Sequence, residues 1–241
     1  MIILLLSTPR SGSHYYSEIL RKSYPDSTVM HEVLSRAAQG IYLQQIDHIE
    51  LSSKQLEHNS YYEDLVDGKL VRVYRERPDP NTFFNELVNK AANSNQTYIL
   101  HEHASLIPKH WIEQLINISD QSMYLTRNRR EQLASRIIAG HTGVYIIRPQ
   151  YMLCHGDQSR REQYLCKRFE SPIATKELVE QLLHIYNSTD QAMANLKVAT
   201  VSYESLQDTN SDVKKLFASS YARLCEQDQQ LIENVLLSCD L

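Results

Sequence analysis

The sequence predicts an α/β fold in which helices cover both faces of a mostly parallel, doubly wound sheet. The chain opens with a continuous apolar run over Ile2–Ser7, which is typical of a strand buried on both faces of a parallel sheet. From residue 82 onward, strand-like and helix-like patterns alternate. A length of 241 residues with 42% hydrophobic residues suits one α/β domain with a large core, and we expect a single domain over residues 1–241.

The spacing of apolar residues and the Pro and Gly breaks predict each element in turn. After the first strand, apolar and aromatic residues recur at helical spacing from His14 until Tyr24-Pro25 ends the helix. Short apolar runs predict further strands at 28–32, 70–74, 97–103, 122–127 and 198–203. Helices are predicted at 34–66, which is polar, at 82–92, from 108 onward, at 130–139 and 175–196, and twice after residue 203. Gly140, Gly143 and Pro149 predict a loop-rich stretch after residue 139.

Charge and hydropathy exclude two classes of protein. The net charge of −4 argues against a general nucleic-acid binder, because affinity for the phosphate backbone requires an excess of Lys and Arg. The apolar start at 1–6 is too short for a membrane span, has no basic flank and lacks the cleavage pattern of a secretory signal. We therefore expect a cytoplasmic protein with no membrane span and no nucleic-acid partner.

The loop after the first strand has the composition of a phosphate site. The segment STPRSGS runs from a buried strand straight into a helix, which brings backbone N–H groups and a helix N-terminus together. Gly12 permits close approach of the backbone, and Ser11 and Ser13 add hydroxyl donors. Arg10 adds a fixed charge whose planar fork reaches two oxygens at once. A plain strand-to-helix turn remains the alternative. The nucleoside-triphosphate motif GxxxxGK[ST] is absent, since no lysine follows Gly12.

The segment STPRSGSHYYSEIL resembles the 5′-phosphosulfate loop of sulfotransferases that use 3′-phosphoadenosine 5′-phosphosulfate (PAPS). The resemblance implies the three-layer α/β, P-loop-NTPase-like sulfotransferase fold, with the arginine typical of bacterial and carbohydrate members. It also implies that Arg10 contacts the 5′-phosphate and the bridging oxygen, and that Ser11, Gly12, Ser13 and His14 hold the phosphate. His14 departs from the hydroxyl residue common at that position.

Two later segments resemble further motifs of the same family. In MYLTRNRREQLASRII, Arg127 ends a strand and Ser135 follows eight positions later, as in the family's 3′-phosphate motif. In VATVSYESL, Tyr203 is similar to the tyrosine near the adenine. The resemblance therefore implies that Arg127, Ser135 and Tyr203 complete the nucleotide site. Its remaining side is unassigned. Four basic residues are candidates, although a solvated basic face is the plainer interpretation of them: Arg160, Arg161, Lys167 and Arg168.

Two residues compete for the role of general base. His103 resembles the histidine of the family's KTH segment, although His101 stands where that family usually has lysine. Glu32, at the end of the second strand, is close to the position where some bacterial members have a catalytic glutamate. His101 and His103 also share one strand face, so a metal-binding pair is the alternative to these roles. The resemblance implies no metal.

The sequence thus favours a sulfotransferase that moves a sulfuryl group from PAPS to a hydroxyl or amine and releases 3′-phosphoadenosine 5′-phosphate (PAP). Its acceptor would be a small molecule, carbohydrate, lipid or peptide, which the sequence does not distinguish. One alternative is a catalytically inactive nucleotide-binding module or effector on the same fold. A small-molecule kinase is a weaker alternative, because the Walker lysine is missing and a strand ends on Arg127 where an acidic Mg²⁺ ligand would be expected.

Overall fold

A computed structural model describes residues 1–35, 61–66, 69–74, 80–142, 144–148, 151–154, 168–207 and 219–239. In these ranges the strands are β1 (Ile2–Ser7), β2 (Ser27–His31), β3 (Tyr61–Val66), β4 (Lys69–Tyr74), β5 (Thr97–His103), β6 (Gln121–Thr126), β7 (Val144–Arg148), β8 (Tyr151–Cys154) and β9 (Ala199–Ser202). The helices are α1 (Ser13–Ser23), α2 (Pro80–Asn93), α3 (Lys109–Ile118), α4 (Arg129–Thr142), α5 (Lys176–Asn195), α6 (Tyr203–Gln207), α7 (Ser220–Arg223) and α8 (Glu226–Cys239). A 3₁₀ turn, Ala104–Leu106, follows β5.

Five parallel strands form the central sheet, in the order β2-β5-β1-β6-β9. Strand β1 lies in the middle and is completely buried, as its uninterrupted apolar sequence predicts. Its register pairs Ser7 with His103 on one side and with Leu125 on the other. The chain turns toward β5 and β2 after β1, and toward β9 after β6. The carboxyl ends of β1 and β6 therefore flank the point where the order reverses, which is where α/β sheets bind ligands.

Helices pack on both faces of this sheet. On one face, Leu4, Leu6 and Leu100 pack against α2 and α3. On the opposite face, Ile3 and Ile99 pack with Leu20 of α1. Alternate residues of β1 and β5 thus enter two separate cores, as the period of two in a strand requires. The prediction of an α/β fold with a parallel sheet is confirmed.

Two stretches differ from the sequence prediction. The polar segment 34–66 was expected to be helical, but Tyr61–Val66 is a strand that pairs antiparallel with Lys69–Tyr74. The stretch after residue 139 was expected to be rich in loops, yet Val144–Arg148 and Tyr151–Cys154 form an antiparallel hairpin. In both cases the strand forms hydrogen bonds with the next segment, and the residue pattern within one segment does not indicate that pairing. Residues 36–60 of the first prediction lie outside the described residues.

Two compact units make up the chain. The first contains Met1–Thr126 and Ala192–Val201, and the second contains Arg127–Gln191 and Ser202–Leu241. The core of the second unit is formed by apolar side chains of α4, α5 and α8, together with Phe169 and Leu224. Among the described helices, none is long and apolar enough to cross a membrane. The single domain expected over 1–241 stays a prediction.

Candidate functional site

The loop between β1 and α1 makes a tight turn at the carboxyl edge of the sheet. The backbone is left-handed at Arg10, with φ of 71°, and at Gly12, with φ of 88°. The hydroxyl and the N–H of Ser11 both donate to the carbonyl of Thr8, at 2.8 and 3.3 Å, and close the turn. Glycine adopts this conformation readily, whereas a non-glycine residue held there stores about 1–3 kcal/mol of strain. The fold therefore imposes the position of Arg10 against its backbone preference.

The N-terminus of α1 has the features of an anion site. Gly12 is its N-cap and has no side chain to cap the helix, and the first turn has no acidic residue. The first N–H groups of a helix carry partial positive charge and favour a negative ligand. Ser13 begins the helix and is buried, and His14 follows it. The segment 10–14 thus combines a left-handed turn with the N-terminus of a helix.

Glu32 connects this loop to the end of β5. It follows β2 directly, has a left-handed backbone with φ of 56°, and donates its N–H to the carbonyl of His101 at 2.7 Å. Its buried carboxylate places Oε1 3.3 Å from Nε2 of His14 and 3.2 Å from Nε2 of His103. Three residues that the sequence singled out separately therefore meet at one carboxylate oxygen. The two candidate bases, Glu32 and His103, are direct partners.

A buried serine holds the other side of His103. Oγ of Ser7 lies 3.0 Å from Nδ1 of His103 and 3.2 Å from Nε2 of His101. Ser7 and His103 are register partners on β1 and β5, which explains their contact. Both ring nitrogens of His103 are consequently within hydrogen-bond distance of a partner, Ser7 on one side and Glu32 on the other. The imidazole is fixed at both ends.

Three histidines from different elements converge beside this pair. Nδ1 of His31 lies 3.3 Å from Nδ1 of His101, because the two residues are register partners on β2 and β5. The ring of His14, on α1, has its centroid 4.6 Å from that of His31 and 5.3 Å from that of His101. One ring nitrogen of each lies within 4.8 Å of the others, so these residues could hold a metal ion. The metal-free site expected from the sequence stays a prediction.

Burial controls the charge of the central histidine. Desolvation lowers the pKa of the fully buried His101 well below its usual value, and the nearby rings of His103, His14 and His31 lower it further. The carboxylate of Glu32 has the opposite, smaller effect. His101 is therefore neutral at neutral pH, and a neutral imidazole offers one N–H donor and one lone pair.

A second buried carboxylate, Glu102, shapes the segment behind Glu32. It accepts hydrogen bonds from the N–H of Leu34 at 2.9 Å, the N–H of Ser35 at 2.8 Å and the hydroxyl of Ser35 at 2.6 Å. That hydroxyl in turn accepts the N–H of His103 at 2.8 Å. Burial raises the pKa of Glu102 to about 7, although the three hydrogen bonds act to lower it. Glu102 thus anchors the chain on both sides of the Glu32–His103 contact.

The candidates for the 3′-phosphate belong to the second unit. The guanidinium carbon of Arg127 lies 5.1 Å from the ring centroid of the buried Tyr203. Nη2 of Arg127 is 3.7 Å from Oε2 of Glu131, whose carboxylate also accepts the N–H of Ser220 at 2.8 Å. The structure therefore brings Arg127 and Tyr203 together, and it also pairs Arg127 with Glu131.

The remaining candidates are only partly described. Ser135 is buried on α4. Nη2 of Arg168 lies 3.3 Å from Oε1 of Glu226 in an exposed ion pair. Arg160, Arg161 and Lys167 lie outside the described residues.

Sequence reasoning missed Ser7, His31 and Glu102. Each was read as part of a strand or its end, without a role. Strand alternation placed His101 and His103 on one face, but only the order β2-β5-β1 brings His31 and Ser7 beside them. A polar residue at the end of an otherwise apolar strand is the signal that would have found Ser7.

No protein-family model matches the chain, and no curated protein matches it.

Proposed function

We propose that this chain is a PAPS-dependent sulfotransferase. The observation that carries the proposal is the placement of one carboxylate, Glu32, within 3.3 Å of both the phosphate-type loop and His103. A donor anion at the N-terminus of α1 would then lie beside a group able to accept a proton. Sulfuryl transfer requires these two features side by side.

In this reaction the acceptor oxygen or nitrogen attacks the sulfur in line, and the bond from sulfur to the 5′-phosphate oxygen breaks. Negative charge develops on the departing PAP, where Arg10 and the N–H groups at the start of α1 would stabilise it. Glycine at the N-cap places no side chain between the first turn of α1 and an incoming anion. Ser11 closes the turn through Thr8, so its part is to shape the loop.

The geometry favours Glu32 over His103 as the proton acceptor. Both ring nitrogens of His103 have partners, Ser7 and Glu32, so the ring has no nitrogen left to face an acceptor. A carboxylate accepts about four hydrogen bonds and can take the proton while it keeps its histidine contacts. His103 would then be a positioning residue that orients Glu32.

The finer fold assignment and the 3′-phosphate contacts also belong to this proposal. A central β1 whose loop leads directly into a helix, at the reversal of strand order, supports a P-loop-like arrangement. The proposed roles of Arg127, Ser135 and Tyr203 rest on the sequence motifs. Binding of the 3′-phosphate by Arg127 would have to compete with its ion pair to Glu131. The cytoplasmic location stays a prediction.

A thermal-shift comparison tests the donor. The purified chain is heated with PAP, with adenosine 5′-monophosphate, and with ATP plus Mg²⁺, because a ligand that binds only the folded state raises its apparent stability. We expect PAP to give the largest shift. No shift with PAP, or a larger one with ATP plus Mg²⁺, would overturn the donor assignment and favour the kinase alternative.

An acceptor screen then separates the enzyme from an inactive binding module. With PAPS as donor, the release of PAP is followed over phenols, sugars, lipids and tyrosine peptides. Turnover with any of them removes the module alternative. If the unaltered, fully folded chain binds PAP tightly but shows no turnover, the result supports the inactive binding module.

A further inference from the structure

The convergence of His14, His31 and His101 has a use that sulfuryl transfer does not explain. These side chains come from α1, β2 and β5, and one ring nitrogen of each lies within 4.8 Å of the others. We propose that the three histidines bind one divalent transition-metal ion of the zinc class. This goes beyond the proposed function, whose chemistry uses no metal.

The best-defined distance in the cluster matches tetrahedral coordination. Nδ1 of His31 and Nδ1 of His101 are 3.3 Å apart. Two imidazole nitrogens that each lie about 2.0–2.1 Å from one zinc ion, at the tetrahedral angle, are about 3.3–3.4 Å apart. An ion could therefore replace the proton between these two nitrogens with little movement of either ring. The ring nitrogen of His14 lies within 4.8 Å of the other two, so His14 is the ligand that has to move closer when the ion binds.

The hydrogen bonds around the cluster orient a lone pair toward this position. Nε2 of His101 lies 3.2 Å from Oγ of Ser7, and that oxygen lies 3.0 Å from Nδ1 of His103. If Nε2 of His101 donates to Ser7, the serine hydroxyl donates to His103, and each proton in this series of hydrogen bonds has an acceptor. His101 then keeps its lone pair on Nδ1. Metal-binding histidines typically donate their other N–H in this way.

The nature of the ligands selects the metal. Three neutral imidazoles suit zinc, cobalt, nickel or copper, whereas magnesium and calcium require oxygen ligands. The buried Glu32 carboxylate, 3.3 Å from Nε2 of His14, supplies negative charge near the ion. Three protein nitrogens leave a fourth position for water or an anion.

Titration with the metal alone tests the site. The full chain is stripped with a chelator, dialysed, and titrated without nucleotide against Zn²⁺, Co²⁺ and Mg²⁺. We expect one Zn²⁺ per chain, an intense visible Co²⁺ spectrum of tetrahedral type, and no binding of Mg²⁺. A weak octahedral Co²⁺ spectrum, or a thiolate charge-transfer band, would overturn the assignment to three histidines. Because no nucleotide is present, a failure to bind metal would not affect the test of PAP binding. A failure to bind PAP would likewise not affect the test of the metal site.

Variants locate the ion. His31→Gln and His101→Gln should each weaken Zn²⁺ binding at least about tenfold. His110→Gln is the matched control, because His110 is exposed on α3 in the same unit. Circular dichroism checks that each variant is folded. If His101→Gln does not fold, the Co²⁺ spectrum of the unaltered chain still tests the site. Unchanged affinity in His31→Gln, or an equal loss in His110→Gln, would refute the proposal.

Discussion

Oε1 of Glu32 lies 3.2 Å from Nε2 of His103, and both side chains are nearly excluded from solvent. The sequence offered these residues as competing bases, one at the end of β2 and one at the end of β5. Because β2 and β5 are neighbours in the sheet, the two side chains meet. They form a unit, with Ser7 fixing the far nitrogen of the imidazole.

Substitutions in this pair should be strongly non-additive. With Glu32 as base, Glu32→Gln should lower kcat by roughly 10²–10⁴, because the proton has no acceptor. His103→Gln should lower kcat less, since it only misorients the carboxylate. Adding His103→Gln to Glu32→Gln should cost little more, because the residues act as one. Steady-state kcat with the acceptor found by screening measures this, with PAP affinity as the check on donor binding. If the kcat losses of the two single variants multiply in the double variant, Glu32 and His103 have independent roles.

Arg10→Ala should lower turnover by roughly 10²–10³, because charge on the departing phosphate loses its stabilising partner. PAP binding should weaken as well. Arg21→Ala is the matched control: Arg21 lies on the exposed face of α1, where Nε is 2.9 Å from Glu18. Kinetics and PAP titration are run on both variants. Equal behaviour of the two would remove Arg10 from the site.

Gly12, the N-cap of α1, and Gly140, within α4, provide a test of the loop and its matched control. Gly12→Ala should reduce stability by about 1–2 kcal/mol, because an L-residue is strained at φ of 88°, and it should weaken PAP binding by distorting the loop. Gly140→Ala should instead stabilise by about 0.5–1 kcal/mol, since a Cβ at Gly140 of α4 meets no atom of the described residues within 4 Å. Denaturant unfolding measures both. A harmless Gly12→Ala would mean that the loop relaxes easily.

Much of the first unit's fold could be predicted from the sequence because its strands are apolar and continuous. Thr97–His103 has the bounds that its apolar run predicts, and Ile2–Ser7 does too. The hairpin of Val144–Arg148 and Tyr151–Cys154 was missed because its Gly and Pro neighbours were read as a loop. The same residues also punctuate hairpins, and only pairing of the two strands distinguishes the cases.

The sequence could identify individual residues of the candidate site but not most of the contacts between them. The segment 10–14 could be predicted because strand, loop and helix are consecutive in the chain. The contact of His31 with His101 depends on the pairing of strands 70 positions apart, and that of Ser7 with His103 on strands 96 apart. Nothing in the local sequence encodes which strands become neighbours. Glu102 was missed for the same reason, since its partners are Leu34 and Ser35.

Arg127→Ala should weaken PAP binding about tenfold to 100-fold, because a charge-assisted contact to the 3′-phosphate is lost. Binding of adenosine 5′-monophosphate, which has no 3′-phosphate, should change much less. Because the lost packing of Arg127 on Tyr203 would affect both nucleotides, this comparison separates it from the loss of the phosphate contact. Arg130→Ala is the control, because Arg130 pairs with Glu233 at an exposed position. Titration calorimetry measures each affinity. An equal loss for both nucleotides would move the 3′-phosphate elsewhere.

Glu102→Ala should destabilise the protein by about 2–4 kcal/mol, because the N–H groups of Leu34 and Ser35 would lose their buried acceptor. Glu102→Gln should cost less, since one carbonyl oxygen remains to accept from them. Glu113→Ala, on the exposed surface of α3, should cost less than about 0.5 kcal/mol. Denaturant midpoints measure all three. Because Ser35 in turn accepts the N–H of His103, a destabilised Glu102→Ala should also lose turnover. Full activity in this variant would show that the Glu32–His103 pair is positioned without Glu102.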